Sequence, residues 1–205
     1  MKYGFLPSGM WLVFHQSFEK KLPLMTEDNP RMIMKKARSR YREILSNIPD
    51  FDQDDRFLVN ILSAAMLAAV YLHLPEKPSL DAVTAYYHKA MMENRVMRLF
   101  LKRQDSYSAK AQAVLARQAK ASQTRSNPYS WRFRYEAGPD QNSYSTYFDT
   151  CGILSLMEKL GIPEIMPAMC SYDYDMVELG GSIFTREHTL AGGGSCCECH
   201  YRKRG

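Results

Sequence analysis

Residues 126–148 read SNPYSWRFRYEAGPDQNSYSTYF, and at Ser126-Asn127-Pro128 the patterning of the chain changes. Tyr129, Trp131, Phe133 and Tyr135 alternate with Ser130, Arg132 and Arg134, the period-two signature of a half-buried strand. Gly138-Pro139-Asp140-Gln141-Asn142 is dense in turn formers, and Tyr144, Thr146 and Phe148 resume the alternation, so a hairpin is expected.

Upstream, the apolar residues recur at helical spacing instead. Asn29-Pro30 reads as a cap with proline in the first turn, followed by Met32, Ile33, Ala37, Tyr41, Ile44 and Leu45, and this helix should end near Asn47. Asp54 or Asp55 can cap an apolar segment running from Phe57 to Leu74. Ser79 caps the next, whose pattern from Leu80 through Leu101 predicts one long amphipathic helix to about Lys102. The thin stripe of Ala111, Val114, Leu115 and Ala119 places a further helix, Ser108 to Ala121, on the outside.

Downstream, a short helix fits Ile153 to Leu160, ended by Gly161. Gly180-Gly181 introduces a strand around Ser182 to His188, and Gly192-Gly193-Gly194 leads into a last strand from Ser195 to about Lys203. The expected class is α+β, with a helical part over 1–125 packed on a mostly antiparallel sheet over 126–205 that carries the chemistry. With no repeats and no low-complexity linker, one domain over 1–205 is the economical organisation.

Composition excludes fibrous and disordered classes: 45% of the 205 residues are apolar and 24% charged. The formal charge of +5 hides a division. Ten bases face the single acid Asp105 between Arg95 and Arg134, whereas ten acids face Lys159 and Arg186 between Tyr135 and Glu198. No helix-turn-helix, zinc-finger or RNA-binding signature accompanies the basic run, so solvated faces and internal pairing are expected rather than a nucleic-acid partner. Pro7, Ser8 and Gly9 interrupt the apolar stretch Tyr3–Phe14, which is not read as a signal peptide. Alanine-rich Phe57–Leu74 is at the lower limit for a membrane span and reads as a buried core helix. A cytoplasmic protein without membrane contact is expected, its homo-oligomeric state open.

All five cysteines lie after Thr150, and an odd count with Cys196 beside Cys197 makes a poor disulfide framework. Alternation on the last strand puts Ser195, Cys197, Cys199 and Tyr201 on one face and Cys196, Glu198 and His200 on the other. Cys196, Glu198 and His200 spell a triad only in print. Same-face neighbours two apart on a strand stand roughly 6 to 7 Å apart, too far for nucleophile and base. A base must come from another element, and His188, Glu187, Asp173 and Asp175 are the candidates. Cys170, Cys197, Cys199 and His200 offer soft metal ligands, but not in the paired knuckles of structural zinc sites. Neither a metal nor another cofactor is expected.

The run from Phe184 to Glu198, FTREHTLAGGGSCCE, resembles the C-terminal signature of the bacterial L-2-amino-thiazoline-4-carboxylic acid hydrolases: an Arg, then Thr-Leu-Ala, glycines and Cys-Asp. Cys151, Leu160-Gly161-Ile162-Pro163-Glu164 and Cys170-Ser171-Tyr172-Asp173 are similar to upstream pieces of the same family, in the same order. The likeness covers about the last 55 residues. Glu198 stands where Asp is usual, Cys199 where an aromatic is usual, His200 where Arg is common, and Ser195 where an acid often follows the glycines.

The resemblance implies hydrolytic opening of a cyclic amidine-like ring, giving N-carbamoyl-L-cysteine from the aminothiazoline, and a role in cysteine metabolism. Such chemistry needs a nucleophile or activated water, a carboxylate for the amidinium and its proton, and a cation for the substrate carboxylate. Asp173 is the expected proton handler, with Glu198 second. Cys197 is the nucleophile by motif position, with Cys170 the alternative; a competing route has Asp173 or Glu198 activate water, with no covalent step. Arg186 suits the substrate carboxylate because its fork matches it bidentately, although pairing with Glu187 or Asp173 is equally open. Thr189, Gly193 and His188 complete the candidate substrate contacts. Two other classes stay open: a metal- or small-ligand-binding sensor using the cysteine cluster, and a nucleic-acid-associated protein using the 95–134 region.

Overall fold

A computed structural model describes residues 1–205 as eight α-helices and a four-stranded antiparallel sheet, an α+β fold with the helices mainly N-terminal. Helices α1 (Phe5–Lys21), α2 (Pro30–Ser46), α3 (Leu58–Tyr71), α4 (Leu80–Met92), α5 (Arg95–Lys102) and α6 (Ala109–Ser122) precede strands β1 (Phe133–Ala137) and β2 (Ser143–Phe148). Helices α7 (Gly152–Leu160) and α8 (Met166–Leu179) then lead to β3 (Ser182–Thr185) and β4 (Cys197–Lys203).

α3 is the centre of the helical part. Ile61, Leu62 and every residue from Ala64 to Tyr71 are buried, which is why the segment shows no polar face. Its small alanines let neighbouring helices approach on all sides. No helix is long and apolar enough to cross a membrane. α1, unassigned from the sequence, buries Trp11, Phe14 and Phe18 at three- and four-residue spacing while Pro7 sits in its first turns. Those residues join one hydrophobic cluster with the buried faces of α2, α3, α4, α7 and α8.

The long helix expected from Leu80 to Lys102 is two helices. Asn94 breaks it: its side chain accepts the Met97 N–H at 3.1 Å and caps α5, while its Nδ2 donates to the Val13 carbonyl of α1 at 2.8 Å. The first strand also starts later than its alternation suggests. Asn127 accepts the Tyr129 N–H at 2.9 Å, and Tyr129 and Trp131 are buried in the resulting turn rather than paired in the sheet. Gly152 must lie beneath this turn, because a Cβ there would stand 1.9 Å from the Tyr129 carbonyl oxygen.

The sheet order is β1-β2-β4-β3, so the last strand is central and the third lies on an edge. Register pairs Phe148 with Cys197, Thr146 with Cys199 and Tyr144 with Tyr201, while Phe184 of β3 also meets Tyr201. Opposed residues share a face, and this one is covered: Phe133, Tyr144, Thr146, Phe184 and Cys199 are all buried. α6 packs on β1 and α8 on β3. As expected, α6 lies outermost, burying only Ala119 and Ser122. The charge division resolves partly into internal pairs. Arg125, 3% exposed, stands within 4 Å of carboxylates of Asp52, Asp54 and Asp55, and Arg134 bridges to Asp149 at 3.2 Å.

Candidate active site

Asp173-Tyr174-Asp175 lies in α8, whose other side buries Ala168, Met169 and Tyr172. Three- and four-residue spacing puts Cys170, Asp173 and Tyr174 on one helix face, whereas Asp175 looks toward α4 and binds His88. Arg186 follows β3 and reaches back to α8. Its Nη1 donates to Asp173 Oδ2 at 2.6 Å and its Nη2 to the Cys170 carbonyl at 2.6 Å. The guanidinium stands 5.3 Å from the centre of the Phe184 ring and 5.6 Å from that of Tyr174, and its side chain is only 6% exposed. Of the two pairings open for Arg186, the one with Asp173 is formed.

The charges are held unusually. Burial pulls the Arg186 cation down, but the adjacent Asp173 carboxylate more than offsets this and keeps it charged. Asp173 retains 37% of its side-chain surface open, yet enough protein crowds its carboxyl that burial raises it above the ordinary carboxylate range. Arg186 pulls it back only in part.

Around this pair stand four thiols, none in a disulfide. Burial pushes Cys170 and Cys199 up to about 12 and Cys151 up to about 11. Cys197 is also raised by burial, although the Leu190 N–H, 3.2 Å from its sulfur, and Arg186 oppose the shift. The glycine loop sets that contact. Thr189 Oγ1 accepts the Gly192 N–H at 3.0 Å, Gly193 takes the left-handed conformation at φ 84°, and the turn delivers the Leu190 N–H to Cys197.

The second carboxylate candidate is elsewhere. Alternation turns Glu198 to the outer face of β4, where Oε2 meets His188 Nδ1 at 3.4 Å and Oε1 lies 4.0 Å from Cys196 Sγ. The structure thus brings together Asp173, Arg186, Cys170 and Cys197, and separates them from Glu198 and His188. The soft-ligand set of Cys170, Cys197, Cys199 and His200 is not assembled, since His200 also faces outward and bonds Ser145 Oγ at 2.8 Å. Glu187, His188 and Glu198 do place three ligand-type atoms within 4.8 Å of one another, on the exposed side. The sequence did not point to Cys199, Tyr174 and Phe184 as neighbours of Arg186; the alternation carried Cys199, but the aromatic contacts need α8 laid over β3.

Fold and site together define an α+β protein that holds a carboxylate–guanidinium pair among protonated thiols between its sheet and a covering helix. The pattern of the L-2-amino-thiazoline-4-carboxylic acid hydrolase family matches residues 59–201, well over half of the chain, and the protein belongs to that family. No curated protein and no solved structure matches the chain.

Proposed function

We propose that the protein is a hydrolase that opens a small cyclic amidine of the aminothiazoline carboxylate type at Asp173. The observation that carries this reading is the Asp173–Arg186 pair, half-buried with opposite charges 2.6 Å apart. An aminothiazoline carboxylate bears a matching amidinium and carboxylate, so a substrate entering the pair exchanges one ion pair for two. Arg186 then holds the carboxylate bidentately and Asp173 the amidinium.

Water rather than cysteine is the nucleophile in this reading. A catalytic thiol needs a lowered pKa or an adjacent base, and burial here shifts every inner-face thiol the other way. Neither His188 nor His200 shares their face. Asp173 takes a proton from water as its oxygen adds to the ring carbon between sulfur and the two nitrogens. The carbon–sulfur bond breaks as the added hydroxyl becomes the carbonyl and releases its proton, the surplus one of the amidinium, to water, and the leaving thiolate takes the other proton back from Asp173. The product is the N-carbamoyl amino thiol. Thr189 and Gly193 shape the loop that holds the Leu190 N–H against the Cys197 sulfur.

The test is consumption of L-2-amino-thiazoline-4-carboxylate with release of free thiol. Asp173→Asn should lower turnover about 10²- to 10⁴-fold, the range of a lost general base, while Cys197→Ala keeps most of it. Loss in Cys197→Ala with turnover retained in Asp173→Asn would reverse the two roles. No thiol release by the unaltered protein would remove the substrate class.

A further inference from the structure

The contact between α4 and α8 holds a second set of chemically matched groups, separate from Arg186. Ser171 and Asp175 are four residues apart on α8 and therefore share the face turned to His88 of α4. Asp175 Oδ2 stands 2.7 Å from His88 Nδ1, and Ser171 Oγ stands 3.0 Å from His88 Nε2. The Tyr172 ring packs edge-on against the imidazole at 5.8 Å. His88 is 21% exposed and Asp175 35%, while Ser171 is half-buried, so the group is shielded yet reachable.

The order carboxylate, imidazole, hydroxyl, with each link inside hydrogen-bond reach, is that of a base-activated nucleophile. We propose that Ser171, His88 and Asp175 form a nucleophilic relay that accepts acyl groups from small activated esters, an activity beyond the ring opening at Asp173. His88 Nδ1–H donates to Asp175, and the Ser171 hydroxyl, which donates to the Ala168 carbonyl at 3.2 Å at rest, turns to Nε2 and gives it its proton as Oγ attacks the ester carbonyl carbon. The bond to the leaving alkoxide breaks, and that alkoxide takes the proton from Nε2, leaving acyl-Ser171 and an alcohol. Water attacks the acyl carbon by the same route, releasing a carboxylic acid and restoring the serine. The Ala168 carbonyl, 3.2 Å from Nε2, accepts its N–H during the interval in which the imidazole is charged.

The position of Ser171 sets the substrate class. It lies inside α8, where backbone N–H groups are committed to the helix, so no pair of free amides stands ready for an oxyanion. Acyl transfer then depends on the leaving group, and nitrophenyl esters react where alkyl esters and amides do not.

The experiment treats the full chain with p-nitrophenyl acetate, follows nitrophenolate release, and maps the acetyl group by peptide mass spectrometry. Acetyl on Ser171 is expected, absent in Ser171→Ala, slowed about 100-fold or more in His88→Ala, and slowed in Asp175→Asn. His88→Gln, which keeps an amide donor toward Asp175, provides a folded variant without the base and should label as slowly as His88→Ala. Acetyl found only on cysteines or lysines, or equal labelling of Ser171 in His88→Gln and the unaltered protein, would overturn the proposal.

Discussion

Asp173 is the residue on which the proposed chemistry turns, and its environment makes the pH behaviour specific. Burial disfavours its charged form more than Arg186 favours it, so it titrates above the ordinary carboxylate value of about 3.9. A general base works only when ionised. Activity should therefore fall as pH drops through the raised value, with the acid limb of kcat/KM displaced upward from the ordinary carboxylate position. A pH–rate profile measures it, and a limb at or below about 3.9 would show that Asp173 is not the group that titrates. At this scale the sequence was partly legible. Asp173, Arg186, Cys170 and Cys197 stood out by motif position, whereas Glu198 stayed second to Asp173 as a candidate for the same role because a carboxylate's surroundings are invisible in a string of letters. His88 and Ser171 carried no signal, since their meeting depends on two helices far apart in the chain.

Among the elements, the break between α4 and α5 shows a single side chain overriding a helical pattern. Asn94 both caps α5 and ties the junction to α1, where Val13 and Ser17 accept from its amide. Replacing it with Ala should cost about 1–3 kcal/mol, combining a lost cap with the lost donation to Val13 and Ser17 of α1. Urea unfolding reads this directly, and an unchanged midpoint would mean that the apolar periodicity alone holds both helices. Asn94→Asp keeps the cap but not the donation and should fall between. The apolar spacing here was compatible with one helix or two, because Val96, Leu99 and Phe100 extend the helical rhythm although they are exposed. Alternation along the last strand was the more reliable guide. It assigned Cys197, Cys199 and Tyr201 to one face and Glu198 and His200 to the other, as the register shows.

For the whole molecule, buried thiols and phenols give stability a pronounced alkaline limit. Cys170 and Cys199 are pushed up to about 12, Cys151 to about 11, and the buried phenols of Tyr87 and Tyr144 to about 12. In the unfolded chain thiols ionise near about 8.5 and phenols near about 10. Between those values and the folded ones the native state binds more protons than the unfolded state, so stability falls as pH rises. Urea midpoints should hold up to about pH 8 and decline steadily above about pH 8.5, while a flat response would show that these groups reach solvent. The α+β class, the caps at Asn29 and Ser79, and the two faces of the last strand were determined by sequence alone. Each follows from side-chain spacing and short-range hydrogen bonding along the chain. Laying α8 over β3, which joins Arg186 to Asp173 and walls them with Tyr174 and Phe184, was the work of tertiary structure. So was the meeting of α4 with α8 that sets His88 between Ser171 and Asp175. The physical reason is that burial and charge pairing belong to neighbours in space, and those are chosen only when the elements pack.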